Sequence, residues 1–209
     1  MRTSLALIAM LVAVPGVDPK MIHLNVKFVE SSAMLEGAKA GVLAMTLTEK
    51  ETATLLEQMA GDSKVLHSPN LVLHNEQEGN IFLGDATPAI VTRYDVHIDE
   101  NGKAVATAVT DSLRYGTSLR LKATAGEKIA FEMFEFSMSQ PRRKPAEMKK
   151  VQTPHGEITD PEFQTVKYTL RTSVKDGDTV LIGPLDKPWG GKDDPKLWIL
   201  VTAKVIPGK

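Results

Sequence analysis

The sequence contains no cysteine. That removes thiolate metal ligands, thiol nucleophiles and disulfides, and it leaves the redox compartment undecided. Net charge is also nearly absent, with 25 basic side chains against 26 acidic ones, so there is no overall electrostatic drive toward nucleic acid. No glycine-rich loop leads from a strand into a helix, which excludes both nucleotide fingerprints. There is no G-x-S-x-G elbow for acyl transfer. The five histidines (His23, His67, His74, His97, His155) never fall at i, i+4 on a helix or beside a second ligand at metal spacing. The acidic pair Asp193-Asp194 lies in a Gly/Pro-rich loop, where solvation explains it better than acid–base work. No residue is assigned as catalytic, cofactor-binding or metal-ligating, and the chain is expected not to be an enzyme.

What is present is enough for one core: 209 residues with an ordinary apolar share of 42%. The N-terminus opens on Arg2 and an apolar run from Leu5 to Val14, ended by Pro15-Gly16. A run of ten is too short to span a bilayer as a helix and suits the h-region of a secretory signal. Residues 1–16 are therefore expected to be a signal peptide, with a buried first element of the mature fold as the plainer alternative.

Beyond Pro19 the pattern is that of strands. Ile22, Leu24, Val26 and Phe28 alternate with His23, Asn25 and Lys27, as on a half-buried strand. A short strand is predicted at Gly41–Leu47. One helix follows, over residues 48–60. Thr48 and Glu51 have capping-box spacing, Ala53, Leu56 and Met59-Ala60 recur at helical intervals, and Gly61 stands where a helix stops. Strands are then predicted at Asn70–His74 and Asn80–Leu83 around a turn containing Glu78-Gly79. Ile90–Ile98 turns through Glu100-Asn101-Gly102 into Ala104–Thr110. The run Leu119–Ala123 leads through Ala125-Gly126-Glu127 into Lys128–Ser139. There the apolar row Ile129, Phe131, Met133 gives way to Phe134, Phe136, Met138, a change of phase that signals a β-bulge or a strand passing between two environments.

Residues 140–161 are polar and proline-rich, with Arg142, Arg143, Lys144, Lys149 and Lys150, and are predicted to be a long loop. A solvated surface is the plainer account of its charges, a patch for an anionic partner the sharper one. Three strands close the chain: Val166–Val174, Thr179–Ile182 after the turn Lys175-Asp176-Gly177, and Leu197–Ile206. The last is apolar on nearly both faces, as expected of a strand covered on two sides. Trp198 within it is core or lipid-facing. Trp189, in Pro188-Trp189-Gly190-Gly191, is the more exposed and could serve a sugar-binding platform.

Four motifs then stand in an order that resembles the C-terminal domain of the bacterial secretins, outer-membrane channels of type II and III secretion and of type IV pili. The first is Val65-Leu66-His67-Ser68-Pro69-Asn70-Leu71 behind the helix, continued by Leu73-His74-Asn75-Glu76-Gln77-Glu78-Gly79-Asn80-Ile81 and Gly84. The second is Tyr115-Gly116-Thr117-Ser118-Leu119-Arg120-Leu121. The most specific is Lys175-Asp176-Gly177-Asp178-Thr179-Val180-Leu181-Ile182-Gly183-Pro184-Leu185, with Pro184 where the family usually has a second glycine. The last is Leu197–Ile206, with Ala203 in place of a proline.

The resemblance covers roughly residues 20 to 207. It implies a mainly β fold with one capped helix, a single domain over 17–209 whose antiparallel strands form a barrel on oligomerisation or an open sheet or sandwich as a monomer. It further implies a homo-oligomer at the outer membrane that works with other secretion-system proteins and needs no cofactor. Against the family pattern, residues 17–45 are too few for a periplasmic ring domain, and the gate segment is reduced to the hairpin around Asn101-Gly102. A soluble periplasmic binding module that kept this core without forming a pore is the alternative, and a glycan-binding or hydrolytic sandwich a third. Gly79, Gly84, Gly116, Gly177 and Gly183 are expected to be structural.

Overall fold

The computed structural model describes residues 20–32, 43–61 and 63–206. The expected signal peptide at 1–16 and the first two residues of the strand expected at 41–47 lie outside them.

Two antiparallel sheets face one another. Sheet A holds β1 (Met21–Ser31), β2 (Leu43–Leu47), β3 (Ser63–His67), β4 (Asn70–His74), β13 (Thr179–Leu185) and β14 (Lys196–Ile206), in the order β2-β13-β14-β1-β3, with β4 also on β1. Because β3 and β4 share one edge of β1 end to end, sheet A is five strands across. Sheet B is a meander of β5 (Glu78–Ala86), β8 (Arg114–Ala125), β9 (Ile129–Pro141) and β12 (Phe163–Val174), in the order β12-β9-β8-β5.

The period-2 pattern places the core. Ile22, Leu24, Val26 and Phe28 of β1 meet Leu119, Leu121 and Ala123 of β8 and Phe131, Phe134 and Phe136 of β9 between the sheets. Each such valine, leucine, isoleucine or phenylalanine, fully withdrawn from water, contributes roughly 1.5–3 kcal/mol. The phase change in β9 proves to be a bulge, opposite the Lys122/Ala123 step of β8. Its extra residue keeps Ile129, Phe131, Phe134, Phe136 and Met138 all on the core side, so the second row does not face the opposite way.

The closing strand is covered on both faces, as its composition suggested. Ile199, Val201 and Ala203 point between the sheets, while Trp198 and Leu200 enter a second core with Val29, Leu47 and Leu181. That second core is roofed by α1 (Glu49–Met59). Thr48 caps the helix: its hydroxyl accepts from the Glu51 amide at 3.3 Å, and the Glu51 carboxylate accepts from the Thr48 amide at 2.8 Å. The buried stripe is Leu55 and Met59, flanked by Leu56; Ala53 is exposed, so the face expected from the sequence was rotated. Trp198 is therefore core and not lipid-facing.

Two further expectations are corrected. Glu78 and Gly79 belong to β5, and the turn before them is Asn75–Gln77, where Glu76 takes a positive φ of 66°. That turn carries the chain from sheet A to sheet B. The stretch 140–161 is not a loop: β9 runs on to Pro141, and β10 (Lys149–Thr153) pairs with β11 (Gly156–Asp160) as a hairpin. Lysines at 149 and 150 disguised it, because a two-stranded ribbon open to water needs no apolar alternation.

A second hairpin, β6 (Ile90–Ile98) with β7 (Ala104–Asp111), interrupts the β5–β8 connection. Its turn is the expected one, with Gly102 at φ 78° and the Asp99 carboxylate accepting from the amides of Asn101 and Lys103. Both hairpins leave sheet B at the same end, since one joins β5 to β8 and the other joins β9 to β12.

Candidate assembly surface

The features left over once the core is built are edges, faces and arms. In sheet B each strand is antiparallel to its neighbour, and β5 pairs with β8 alone while β12 pairs with β9 alone among the described residues. Three antiparallel steps separate the two edges, so β5 and β12 run in opposite directions. A second copy set alongside in the same orientation brings its β12 antiparallel to β5. In sheet A four antiparallel steps separate β2 from β3, so these edges run the same way and would meet in parallel.

The β5 edge is nine residues long, has no bulge against β8 and carries neither lysine nor proline. It thus lacks several of the devices by which exposed edges avoid pairing, and its charges are Glu78 and Asp85 near the two ends. Phe82 on it is 43% exposed.

The outward face of sheet B is polar apart from Phe82, and the charges near its centre are paired. Arg120 on β8 clamps Glu78 of β5, with Nη2 at 2.9 Å from one carboxylate oxygen and Nε on the other, and lies 3.8 Å from Glu135 of β9. Lys122 meets Glu132 at 2.7 Å, and the Thr124 hydroxyl donates to the same carboxylate at 2.6 Å. The Arg120 hydrogen bonds hold Glu78 below the usual carboxylate range, and the Lys122 hydrogen bond does the same for Glu132. Lys122 is raised in turn by its bond to Glu132.

The β6–β7 arm has one apolar face, on which Tyr94, Val96 and Ile98 stand opposite Ala108, Ala106 and Ala104. Its base is covered by the second arm. The Tyr94 ring lies over Gly156, where an added Cβ would come within 2.2 Å of the phenol oxygen, and beside His155 at 6.4 Å. Toward the tip Val96 and Ile98 are 51% and 67% exposed.

Trp189 bridges the two sheets at the same end. Its indole Nε1 donates to the Gln140 carbonyl at 3.0 Å, its amide donates to the Gln164 side chain, and the Arg142 guanidinium sits 5.4 Å from its ring. The ring considered for sugar binding is thus engaged within the chain on one side. Of the basic run, Arg142 pairs with Glu162 and Lys150 with Glu157. His67 and His74 lie along β1, opposite Phe28 and Met21. Among the described residues no three His, Asp or Glu side chains gather where they could hold a metal ion. A cleft of about 340 Å³ opens between the sheets beside Phe28, His67, Asp85 and Tyr115. No described helix is long and apolar enough to cross a membrane, which says nothing of strands.

The expected structural glycines are placed by different constraints. Gly84 and Gly116 are cross-strand partners in close approach, and Gly183 lies against the Trp198 ring. Gly79 is crowded by Leu71 and Leu73, and Gly177 turns the chain at φ 86°.

Comparison with known proteins gives the following. No curated protein matches the chain. Among solved structures it is similar to the type IV competence pilus secretin PilQ of V. cholerae, with 16% identity, a TM-score of 0.35, and 90% of this chain covering 57% of that one. The InvG secretin-domain β-barrel of the Salmonella SPI-1 injectisome matches with 13% identity, a TM-score of 0.40, and 90% of this chain on 61% of that one. The type II secretion system secretin GspD of E. coli K12 gives 10% identity, a TM-score of 0.37, and 90% on 49%. The chain thus spans about half to three fifths of these proteins. The family model described as "Secretin: Bacterial type II and III secretion system protein" matches residues 56–187, well over half of the chain, and the chain belongs to that family.

Proposed function

We propose that the protein is an exported, secretin-type assembly unit whose copies join side by side through sheet B into a closed ring in the bacterial envelope, where it passes or anchors other proteins and does no catalysis. The observation that carries this reading is the pair of edges on β5 and β12, unpaired among the described residues. An even-stranded antiparallel sheet continues its own hydrogen-bonding pattern from one copy to the next, and only closure removes the last open edge. Sheet A, five strands across, would meet its neighbour in parallel, so its antiparallel pattern does not carry over from one copy to the next.

The outward face of sheet B is unsuited to lipid, since a membrane-facing barrel wall presents an apolar band on alternate residues. Apolar side chains open to lipid stand instead on the arm, at Val96 and Ile98, and on sheet A, at Met45, Val65 and Val72. The same polar face supports a second reading, a soluble periplasmic binding module that never forms a ring.

Because the chain has no cysteine, cross-linking tests the reading cleanly. Asn80→Cys on β5, combined in turn with Thr165→Cys, Lys167→Cys or Thr169→Cys on β12, should give a ladder of disulfide-linked multimers on oxidation. Sizing in mild detergent should show the same multimer without cross-links. Monomer in both experiments removes the ring and leaves the binding module.

A further inference from the structure

We infer that the cleft of one copy is the seat for Trp189 of the next, with Lys192 of that next copy facing Asp85. This rests on the ring reading and adds to it a contact between copies outside the β5–β12 ladder, with the side chains that make it.

The cleft has the form of a receptacle. It encloses about 340 Å³ between the sheets, walled by the apolar side chains of Phe28, Leu66, Leu83 and Met138, with the exposed His67 and Asp85 also lining it. That volume falls in the range that takes up a ring-sized group. Leu66 and His67 come from β3, and Leu83 and Asp85 from β5, the outermost strands of their two sheets. The cleft therefore lies at the flank on which a neighbouring copy stands. The side chains of Asp85 and His67 make no hydrogen bond or ion pair with the described residues.

Trp189 stands on the opposite flank. Its amide is bonded to the Gln164 side chain, on the same side of β12 as Val166, Tyr168 and Leu170, which pack against the core. The Tyr168 hydroxyl bonds the backbone at Asp186, so the connection that carries Trp189 follows the β12 edge. The indole is pinned through its Nε1 to the Gln140 carbonyl and still is 43% exposed. An aromatic ring already held in one orientation loses little freedom on docking, and such rings anchor interfaces by entering pockets.

Height and charge also match. Leu83 and Asp85 lie near the end of β5, from which the first arm leaves, and Gln164 lies near the start of β12, where the second arm returns. Antiparallel pairing sets the start of β12 in one copy beside the end of β5 in the other, and so brings Trp189 to the level of the cleft. In the connection that bears Trp189, Lys187 pairs with Glu30 and Lys196 with Asp186, whereas the Lys192 ammonium has no partner among the described residues. An unpaired cation beside the ring and an unpaired carboxylate in the cleft are complementary across the junction.

The test uses the full-length ring. His67→Cys and Gly191→Cys are placed in separate chains, coexpressed and treated with a short bismaleimide; a side chain at 191 has room, its nearest neighbour being Asp194 at 3.6 Å. A cross-linked dimer should form in the mixed ring and in neither ring made of one variant alone. Asp85→Lys should lower the temperature at which the multimer falls apart on an SDS gel, and Lys192→Asp in the same chain should restore it, which a local effect of either substitution would not do. Absence of the cross-link, while Asn80→Cys still bridges copies through β12, overturns the seat and leaves the ring standing. Charge reversal without restoration overturns the Asp85–Lys192 contact. A monomer by sizing overturns the ring itself, and the seat with it.

Discussion

Gly84 and Gly116 face one another across the β5–β8 ladder, so close that a Cβ on Gly84 would lie 2.1 Å from the Tyr115 carbonyl oxygen and one on Gly116 would lie 2.5 Å from the Gly84 Cα. The obstacles are backbone atoms, which no rotamer change can move aside. Gly116 also holds φ at +139°, where an L side chain is strained by about 1–3 kcal/mol. Gly116→Ala is expected to lower the unfolding free energy by at least about 2 kcal/mol, read from the urea midpoint at unchanged slope. A variant as stable as the parent would mean the two strands separate at no cost, and that the close crossing is not a structural requirement.

Trp189 fastens the β13–β14 connection of sheet A to the arm end of sheet B. Trp189→Ala removes a hydrogen bond of about 1 kcal/mol and a cation–π contact of about 0.5–1 kcal/mol. Stability is expected to fall by roughly 1–2 kcal/mol, and trypsin should cut faster at Lys192. Trp189→Phe, which keeps the ring under Arg142 and loses the indole bond, should fall between. Unchanged proteolysis in both variants would free Trp189 for a ligand-binding role.

The carboxylates of the sheet B ladder set an acid limit. Glu78 and Glu132 titrate below the ordinary value of 4.5 in the folded chain because of Arg120 and Lys122. A depressed folded pKa gives stability that is present above the unfolded pKa and lost as pH falls through the folded one. Thermal stability is therefore expected to be flat with respect to these groups from pH 7 to about 5, and to decline below about 4.5. Glu78→Gln with Glu132→Gln should flatten that decline in melting curves recorded against pH, and an unaltered profile would assign the acid limit to other carboxylates.

Much of this fold was legible in the residue pattern. The alternation of Ile22, Leu24, Val26 and Phe28 marked a core face, the two-sided apolarity of Leu197–Ile206 marked a central strand, and Thr48 with Glu51 marked the helix start. The ordered glycine-bearing motifs pointed to the family that residues 56–187 match. The arm at 149–160 was not legible, because a solvent-exposed ribbon carries no periodic burial signal. Nor was the helix face: Ala53 and Leu55 both fit a helical period, and only the position of Leu181 and Trp198 beneath it selected Leu55.

The candidate surface divides in the same way. Local sequence determined that Arg120 and Lys122 point away from the core, since side chains alternate along a strand whatever it pairs with. Which strands lie at the edges, how many stand across each sheet, and that Arg120 reaches Glu78 from 42 residues away were decided by the tertiary fold alone. The reason is physical: a strand's own residues fix its two faces through the period of the backbone, while its partners are chosen by the global packing that buries the core and satisfies the ladder.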